Sequence, residues 1–306
     1  MRGEALETAT IALWAANLVH PASSLADWLG QVDGSMEKAR SAGASLLALP
    51  EFACMSWLDF APPGLAPAAQ MPWLAGVALE ALPGLHELVQ RHQMALLAGT
   101  FPVYDLGPAA LPVNRAWLFL PDGRVHEQDK ISLTPSEQGL FRPGAQIRVL
   151  DWLGWRVAVI VCLDVEFTAL WVRLGRLDLD LILVPAKTEF ASGYHRVFGC
   201  ARARAIELQT VVCAVGAIGS VERDPSQEVV GGAAAFLPCE ASFAPTGVAA
   251  VLEPHASGSG RSPLLICPDL PLGACRRVRH GGAEAEVWPA SWRADAVAIA
   301  DPGVAA

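Results

Sequence analysis

The sequence has seven cysteines but no Cys-x-x-Cys pair. They stand at positions 54, 162, 200, 213, 239, 267 and 275, an odd number, and several lie inside strand-like runs. That pattern does not suit a disulfide framework. Without paired Cys or His ligands at short spacing it does not suit a zinc site either. Reduced thiols in a cytoplasmic protein, with no metal, are the expectation. No block of Lys and Arg stands out, and the formal net charge is −9, so neither nucleic acid nor an anionic membrane is an expected partner. No apolar stretch reaches the roughly 18 uninterrupted residues of a membrane helix. Glu4 and Glu7 precede the first apolar stretch, which does not suit a secretory signal. Internal repeats and linker-like breaks in composition are also lacking.

What is present is apolar material: 53% of the 306 residues belong to the hydrophobic set, ample for a large core. Strand-like and helix-like segments alternate. Residues 8–19 and 45–49 read as strands around a helix over 24–42 capped by Ser23 or Ser24. Residues 73–93 read as a helix that Pro83 should break or kink, followed by a strand over 94–103. A hairpin spans 113–131 and turns at Pro121-Asp122-Gly123. Residues 132–145 read as an irregular loop. Two strands then flank Leu153-Gly154, and a helical pattern runs from Asp164 to Arg173. A short apolar run over 177–185, a helix over 191–209 and a strand over 210–218 follow, with weaker strands near 233–237 and 264–266. Apolar strands separated by helices predict sheets covered by helices, and the hairpins mean that the sheets are mixed. The expectation is one α/β domain over 1–306, with its core at about 8–270 and a flexible or partner-packed tail at about 271–306.

Three strand ends carry chemistry. Trp155-Arg156-Val157-Ala158-Val159-Ile160-Val161 runs into Cys162, Ser45-Leu46-Leu47-Ala48-Leu49-Pro50 runs into Glu51, and the hairpin strand 124–129 runs into Lys130. A cysteine on a strand-to-helix turn stands where a helix N-terminus favours the thiolate. An acid, an ammonium and a thiol are the parts of thiol-based acyl transfer. Each also has a plainer reading: a small core hydrophobe for Cys162, a solvated loop acid for Glu51 and a solvated edge charge for Lys130. A Cys–His hydrolase using His126 or His195 is the competing arrangement.

In that order and placement, Leu49-Pro50-Glu51-Phe52, Asp129-Lys130 and Val161-Cys162-Leu163-Asp164 resemble the three signature segments of the carbon–nitrogen hydrolase (nitrilase) superfamily. Glu137 with Phe141-Arg142-Pro143-Gly144, and Ala203-Arg204-Ala205-Ile206-Glu207, extend the likeness. Gly193-Tyr194-His195-Arg196 looks like a feature of amidohydrolase subgroups whose substrates are poorly defined. The resemblance implies a four-layer α-β-β-α sandwich and a cofactor-free hydrolase of a small linear amide or N-carbamoyl compound. In it Glu51 is the general base, Cys162 the nucleophile, and Lys130 the oxyanion partner together with the Leu163 backbone N–H. Glu137 supports Lys130. Trp57 and Phe60 are candidate walls of the pocket, and Lys187, Thr188 and Glu189 candidate substrate contacts. A homodimer or larger homo-oligomer is implied, helped by the segment Val287 to Trp292. A nitrilase proper and a non-enzymatic interaction protein on the same scaffold are the alternatives. The chain departs from the family pattern at Glu166, where a positive charge is usual, at Leu208 for Asn, and at Gly231-Gly232-Ala233-Ala234.

Overall fold

In the computed structural model, residues 6–20, 22–107, 109–219, 229–255 and 262–284 are described. In chain order the elements are β1 (Ala9–Trp14), α1 (Leu25–Ser41), β2 (Leu46–Ala48), α2 (Pro67–His92), β3 (Ala95–Val103), β4 (Val113–Phe119), β5 (Val125–Asp129), β6 (Val149–Trp152) and β7 (Trp155–Val159). There follow α3 (Thr168–Leu174), β8 (Leu181–Ala186), α4 (Phe190–Leu208), β9 (Val211–Gly216), β10 (Gly231–Phe236), β11 (Val248–His255), β12 (Leu264–Leu270) and α5 (Leu272–Arg279). Two six-stranded sheets result, ordered β12-β1-β2-β3-β4-β5 and β11-β10-β9-β8-β7-β6. Both are mixed: β1, β2 and β3 pair in parallel, as do β7, β8 and β9, with antiparallel strands on either side.

The two-residue period of the strands explains the layering. In the first sheet Ile11, Leu13, Leu46, Ala48, Ala95 and Leu97 enter the core shared with the second sheet. Their alternates Ala12, Trp14, Leu47, Leu96 and Ala98 enter a separate core beneath α1 and α2. The central strands of the second sheet are buried on both faces, since Val157, Ala158 and Val159 are all in the core, and α3 and α4 add Trp171, Tyr194, Val197 and Ala201 from outside. This is the α-β-β-α sandwich expected from the resemblance.

Ser24 caps α1, its hydroxyl accepting from the Asp27 N–H. α2 differs from expectation, because it begins earlier and runs through Pro83 to His92. An interior proline costs about 3 kcal/mol. The side chains of Leu74, Val77, Leu85, Leu88 and Val89 are buried on one face of this helix, and burial of each is worth roughly 1.5–3 kcal/mol. The carbonyl freed by Pro83 belongs to Leu79, which is exposed. β11 lacks a sequence signal because its alternating residues are only half buried. The first part of the expected tail forms α5, whose Arg276 and Arg279 reach the buried Asp180; Val287 to Trp292 lie outside the described residues. Among the described residues no helix is long and apolar enough to cross a membrane.

Candidate active site

Glu51 follows β2 and Lys130 follows β5 in the first sheet, whereas Cys162 follows β7 in the second, so the three meet where the sheets face each other. Two glycines make the approach possible. At Gly99 (φ +81) a Cβ would stand 2.2 Å from the Pro50 carbonyl oxygen, so only glycine lets the Pro50-Glu51 segment pass. At Gly144 a Cβ would stand 2.7 Å from that of Asp129, and the Gly144 N–H donates to the Lys130 carbonyl at 2.7 Å.

Both ionic side chains are buried, Glu51 to 1% exposure and Lys130 to 2%. Lys130 Nζ donates to Glu51 Oε1 at 2.8 Å and to both oxygens of Glu137 at 2.8 Å. Glu51 also accepts from Asn114 Nδ2 and from the Lys187 backbone N–H, each at 2.9 Å. Glu137 is steadied by the Thr134 N–H at 2.8 Å and the Thr134 hydroxyl at 3.0 Å. Burial opposes the charge on Lys130, but Glu51, Cys162 and Glu137 outweigh it and hold the ammonium above its ordinary value. The buried Cys162 thiol lies within reach of Glu51 and donates to the Lys187 carbonyl at 3.7 Å. Burial, and then Glu51, push that thiol well above its ordinary value, with Lys130 pulling the other way.

This corrects one expectation. Cys162 is not a thiolate at a helix N-terminus: the residues after it form a short 3-10 turn, Cys162–Glu166, and α3 starts separately at Thr168. Burial and then the Glu51 carboxylate beside it favour the protonated form of the sulfur. The turn is held from outside, since the Val165 carbonyl accepts from Trp171 Nε1 at 2.8 Å and from Arg204 Nε at 3.3 Å. It is held from inside by Asp164, whose carboxylate accepts from the N–H groups of Ile131 (3.0 Å) and Ser132 (2.6 Å), binding the lysine segment to the cysteine segment.

A cavity of ≈ 420 Å³ opens over the sulfur and is lined in part by Phe52, Leu163, Glu166, Lys187, Glu189, Phe190 and Arg196. Phe52 (φ 54), Cys162 (φ 47) and Phe190 (φ 62) all hold left-handed backbone. Bulky residues rarely adopt it, and it costs on the order of 1–3 kcal/mol each. Two ion pairs stand in the wall, Lys187 Nζ–Glu189 at 3.5 Å and Arg196 Nε–Glu166 at 3.2 Å.

The expected pocket residues divide. Lys187 borders the cavity, but its backbone rather than its ammonium meets Glu51 and Cys162. Thr188 borders it too, with its hydroxyl committed to the Val230 carbonyl at 2.5 Å. Trp57 and Phe60 do not border it, a correction: Trp57 packs edge-on against Trp28 at 5.0 Å in the core beneath α1 and α2, and Phe60 packs against Trp73. The 3-10 turn over Ala53–Phe60 leads the chain away from the cavity as soon as Glu51 and Phe52 have been placed. Asn114 escaped notice, although the hairpin register sets it opposite Lys130, whose N–H donates to the Asn114 carbonyl at 2.9 Å. The competing bases are elsewhere. His126 and His195 do not border the cavity, and burial lowers the His126 pKa to about 4.

A family model described as carbon-nitrogen hydrolase matches residues 10–254. Among curated proteins, the probable hydrolase YhcX of Bacillus subtilis (strain 168) is 25% identical over 265 residues, which cover 85% of this chain and 49% of that protein. The omega-amidase YafV of Yersinia enterocolitica is 36% identical over 109 residues, covering 35% of this chain and 41% of that one. The matches thus span half or less of the length of these relatives. Among solved structures, a mutant of the amidase from Nesterenkonia sp. AN1, showing covalent addition of the acetamide moiety of fluoroacetamide at its active-site cysteine, superposes with a TM-score of 0.67. It is 22% identical, and the match covers 90% of this chain and 96% of that one. The fold is therefore that of the nitrilase superfamily.

Proposed function

The chain belongs to the carbon–nitrogen hydrolase family, and from that premise we propose that it hydrolyses a small linear amide or N-carbamoyl compound through a thioester on Cys162. The observation that carries this reading is the buried cluster in which Lys130 Nζ lies 2.8 Å from both Glu51 and Glu137, against the Cys162 thiol at the floor of the cavity. Lodging two carboxylates and an ammonium away from water costs several kcal/mol per ion unless they are paired. A scaffold without chemistry has no reason to hold them beside a strained cysteine.

The charges decide the order of events. The cluster already has one carboxylate more than it has ammonium groups, so a free thiolate would add a second uncompensated negative charge. Passing the thiol proton to Glu51 as sulfur attacks keeps the total constant. Cys162 Sγ forms a bond to the carbonyl carbon, the π electrons move to oxygen, and Glu51 takes the proton. The oxyanion is stabilised by the Lys130 ammonium and the Leu163 N–H. Its collapse breaks the C–N bond, and the nitrogen leaves as ammonia or an amine carrying the proton from Glu51. Water then adds to the thioester while giving a proton to Glu51. The C–S bond breaks, sulfur recovers that proton, and the carboxylic acid departs. Glu137 keeps Lys130 in place throughout.

The mixed charges of the wall suit a small polar substrate, and the curated relative named omega-amidase supports an amide over a nitrile. We extend the reading to one domain over residues 1–306, to a reducing cytoplasm that keeps Cys162 free, and to a homodimer. Exposed Phe167 and Val172, at the start and on the surface of α3, favour the dimer. Intact-mass measurement after brief exposure to a mixed amide library tests the chemistry. An acyl adduct should appear on Cys162 and vanish in Cys162→Ala. Adducts that persist in that variant or map to Cys54, or ammonia released from nitriles but not from matched amides, would overturn the reading. An interaction protein on this scaffold would form no adduct at all.

A further inference from the structure

A second cavity, of ≈ 250 Å³, lies at the start of β7 and β8 and is lined by Arg156, Arg176, Arg276, Arg279, His280, Asp178 and Leu177. Six residue-to-residue steps of extended chain separate Arg156 from Cys162, or about 20 Å at the strand rise, so this is not the cavity over the sulfur. We propose that it binds a phosphate group, either inorganic phosphate or the phosphate of a small soluble ester.

The guanidinium groups are more numerous than the fold requires. Arg276 and Arg279 have a structural duty, holding the fully buried Asp180 and so fastening α5 to the sheet. Arg156 donates through Nε to the Leu177 carbonyl at 2.8 Å, and its terminal nitrogens have no partner among the described residues. Arg176 is exposed and likewise makes no ion pair or hydrogen bond among the described residues. Arg279 Nε is buried without a hydrogen-bond partner, 3.7 Å from Asp178 Oδ1.

Against four guanidinium groups stand Asp180, already saturated, and Asp178; Asp151 pairs with Arg156 in the strand ladder but does not line the cavity. This local positive excess sits in a chain of net charge −9. Planar forks with free N–H groups match phosphate oxygens pairwise. The volume corresponds to about eight waters in the liquid, room for a phosphate with a short substituent.

The test titrates the full-length protein with sodium phosphate at constant ionic strength, balanced with sodium chloride, by calorimetry and by thermal melting. Saturable binding and a rise in melting temperature are expected, with affinity about ten-fold or more weaker in Arg176→Glu and Arg156→Gln. Arg176 supports nothing in the fold, so the unliganded melting temperature of its variant should match that of the wild type. Cys162→Ala should bind phosphate normally, which separates this proposal from the one about chemistry. No effect beyond that of chloride, wild-type affinity in the two arginine variants, or phosphate that protects Cys162 from alkylation would overturn it. So would Arg176-dependent binding to anionic vesicles without binding of free phosphate.

Discussion

Two buried ionic clusters, one beside Cys162 and one around Asp180, start from the same penalty and resolve it in opposite ways. Asp180 is completely buried and accepts from the Arg156 N–H at 2.8 Å, Arg276 Nε at 2.9 Å and Arg279 Nη2 at 2.7 Å, with a further bond from Arg276 Nη2. Burial alone would raise its pKa, but Arg276, the Arg156 N–H and Arg279 outweigh it and hold the carboxyl below its ordinary value. No proton is left to move. At the cysteine end one ammonium serves two carboxylates, and the neighbouring thiol is pushed up by burial and by Glu51. Surplus donors make a structural clamp, whereas surplus acceptors beside a thiol suit the proton transfer that the proposed mechanism requires.

The largest expected effects come from breaking the cysteine-side cluster. Lys130→Met should lower kcat/KM by about 10²–10³, the ~2.7–4 kcal/mol typical of a lost oxyanion donor. It should also lower stability by about 3–5 kcal/mol, because Glu51 and Glu137 are left facing each other. Lys130→Arg separates the two effects: charge and most of the stability remain, but a wide planar cation cannot put its donors where the compact ammonium did, so turnover is lost. Steady-state kinetics beside urea denaturation reads both, and wild-type rates in the arginine variant would remove Lys130 from the mechanism. The mirror experiment is Asp180→Asn. It should cost about 3 kcal/mol of stability and leave kcat/KM per folded molecule unchanged. A fall in kcat/KM there would mean that the two clusters are coupled and the contrast is mistaken.

The contrast also marks what the sequence discloses. Glu51, Lys130, Glu137 and Cys162 are legible because each ends or follows a segment whose apolar or hairpin pattern is clear, and their order is distinctive. The hairpin turn at Pro121-Asp122-Gly123 even sets the register that puts Asn114 opposite Lys130. Trp57 is not legible, because six residues after Glu51 the chain has already turned through Phe52 in left-handed backbone and entered another core. Nor is Asp180, whose partners Arg276 and Arg279 come from a helix nearly a hundred residues later. Local pattern places strand ends, while long-range ion pairs and the direction of a turn depend on packing that no short window contains. The uninterrupted α2 gives the same lesson, since buried area outweighs the penalty that Pro83 announces.

A smaller effect should appear in the pH dependence. The Asp164 carboxyl is raised to about 6, chiefly by burial, against the opposing pull of the Ile131 and Ser132 N–H groups. Between the ordinary carboxyl range and pH 6 the folded state therefore holds this proton more tightly than the unfolded one, so protonation of Asp164 by itself favours folding. Below about pH 6 it nonetheless gives up charge-assisted bonds to the segment that carries Lys130. Turnover should fall on the acid side with a midpoint near 6 while circular dichroism shows the fold intact. In Asp164→Asn the limb should move or vanish and the rate should be lower throughout. An acid limb identical in that variant would assign it to another group.

The smallest effect concerns the wall of the cavity and compares two aromatic residues five positions apart, Phe52 within that wall and Trp57 outside it. Trp57 is fully buried with its indole N–H unpaired, packed 5.0 Å from Trp28 and 5.2 Å from Phe101. In Trp57→Phe the lost ring volume destabilises and removal of the orphaned donor compensates, leaving a net change of about 1–2 kcal/mol in either direction. KM should not move, because the side chain never meets the cavity. Phe52 does line it, braced by Phe141 at 5.6 Å, so Phe52→Ala should raise KM with a smaller change in kcat. Were the tryptophan variant to raise KM and the phenylalanine variant to leave it alone, the wall would run on the other side of the 3-10 turn.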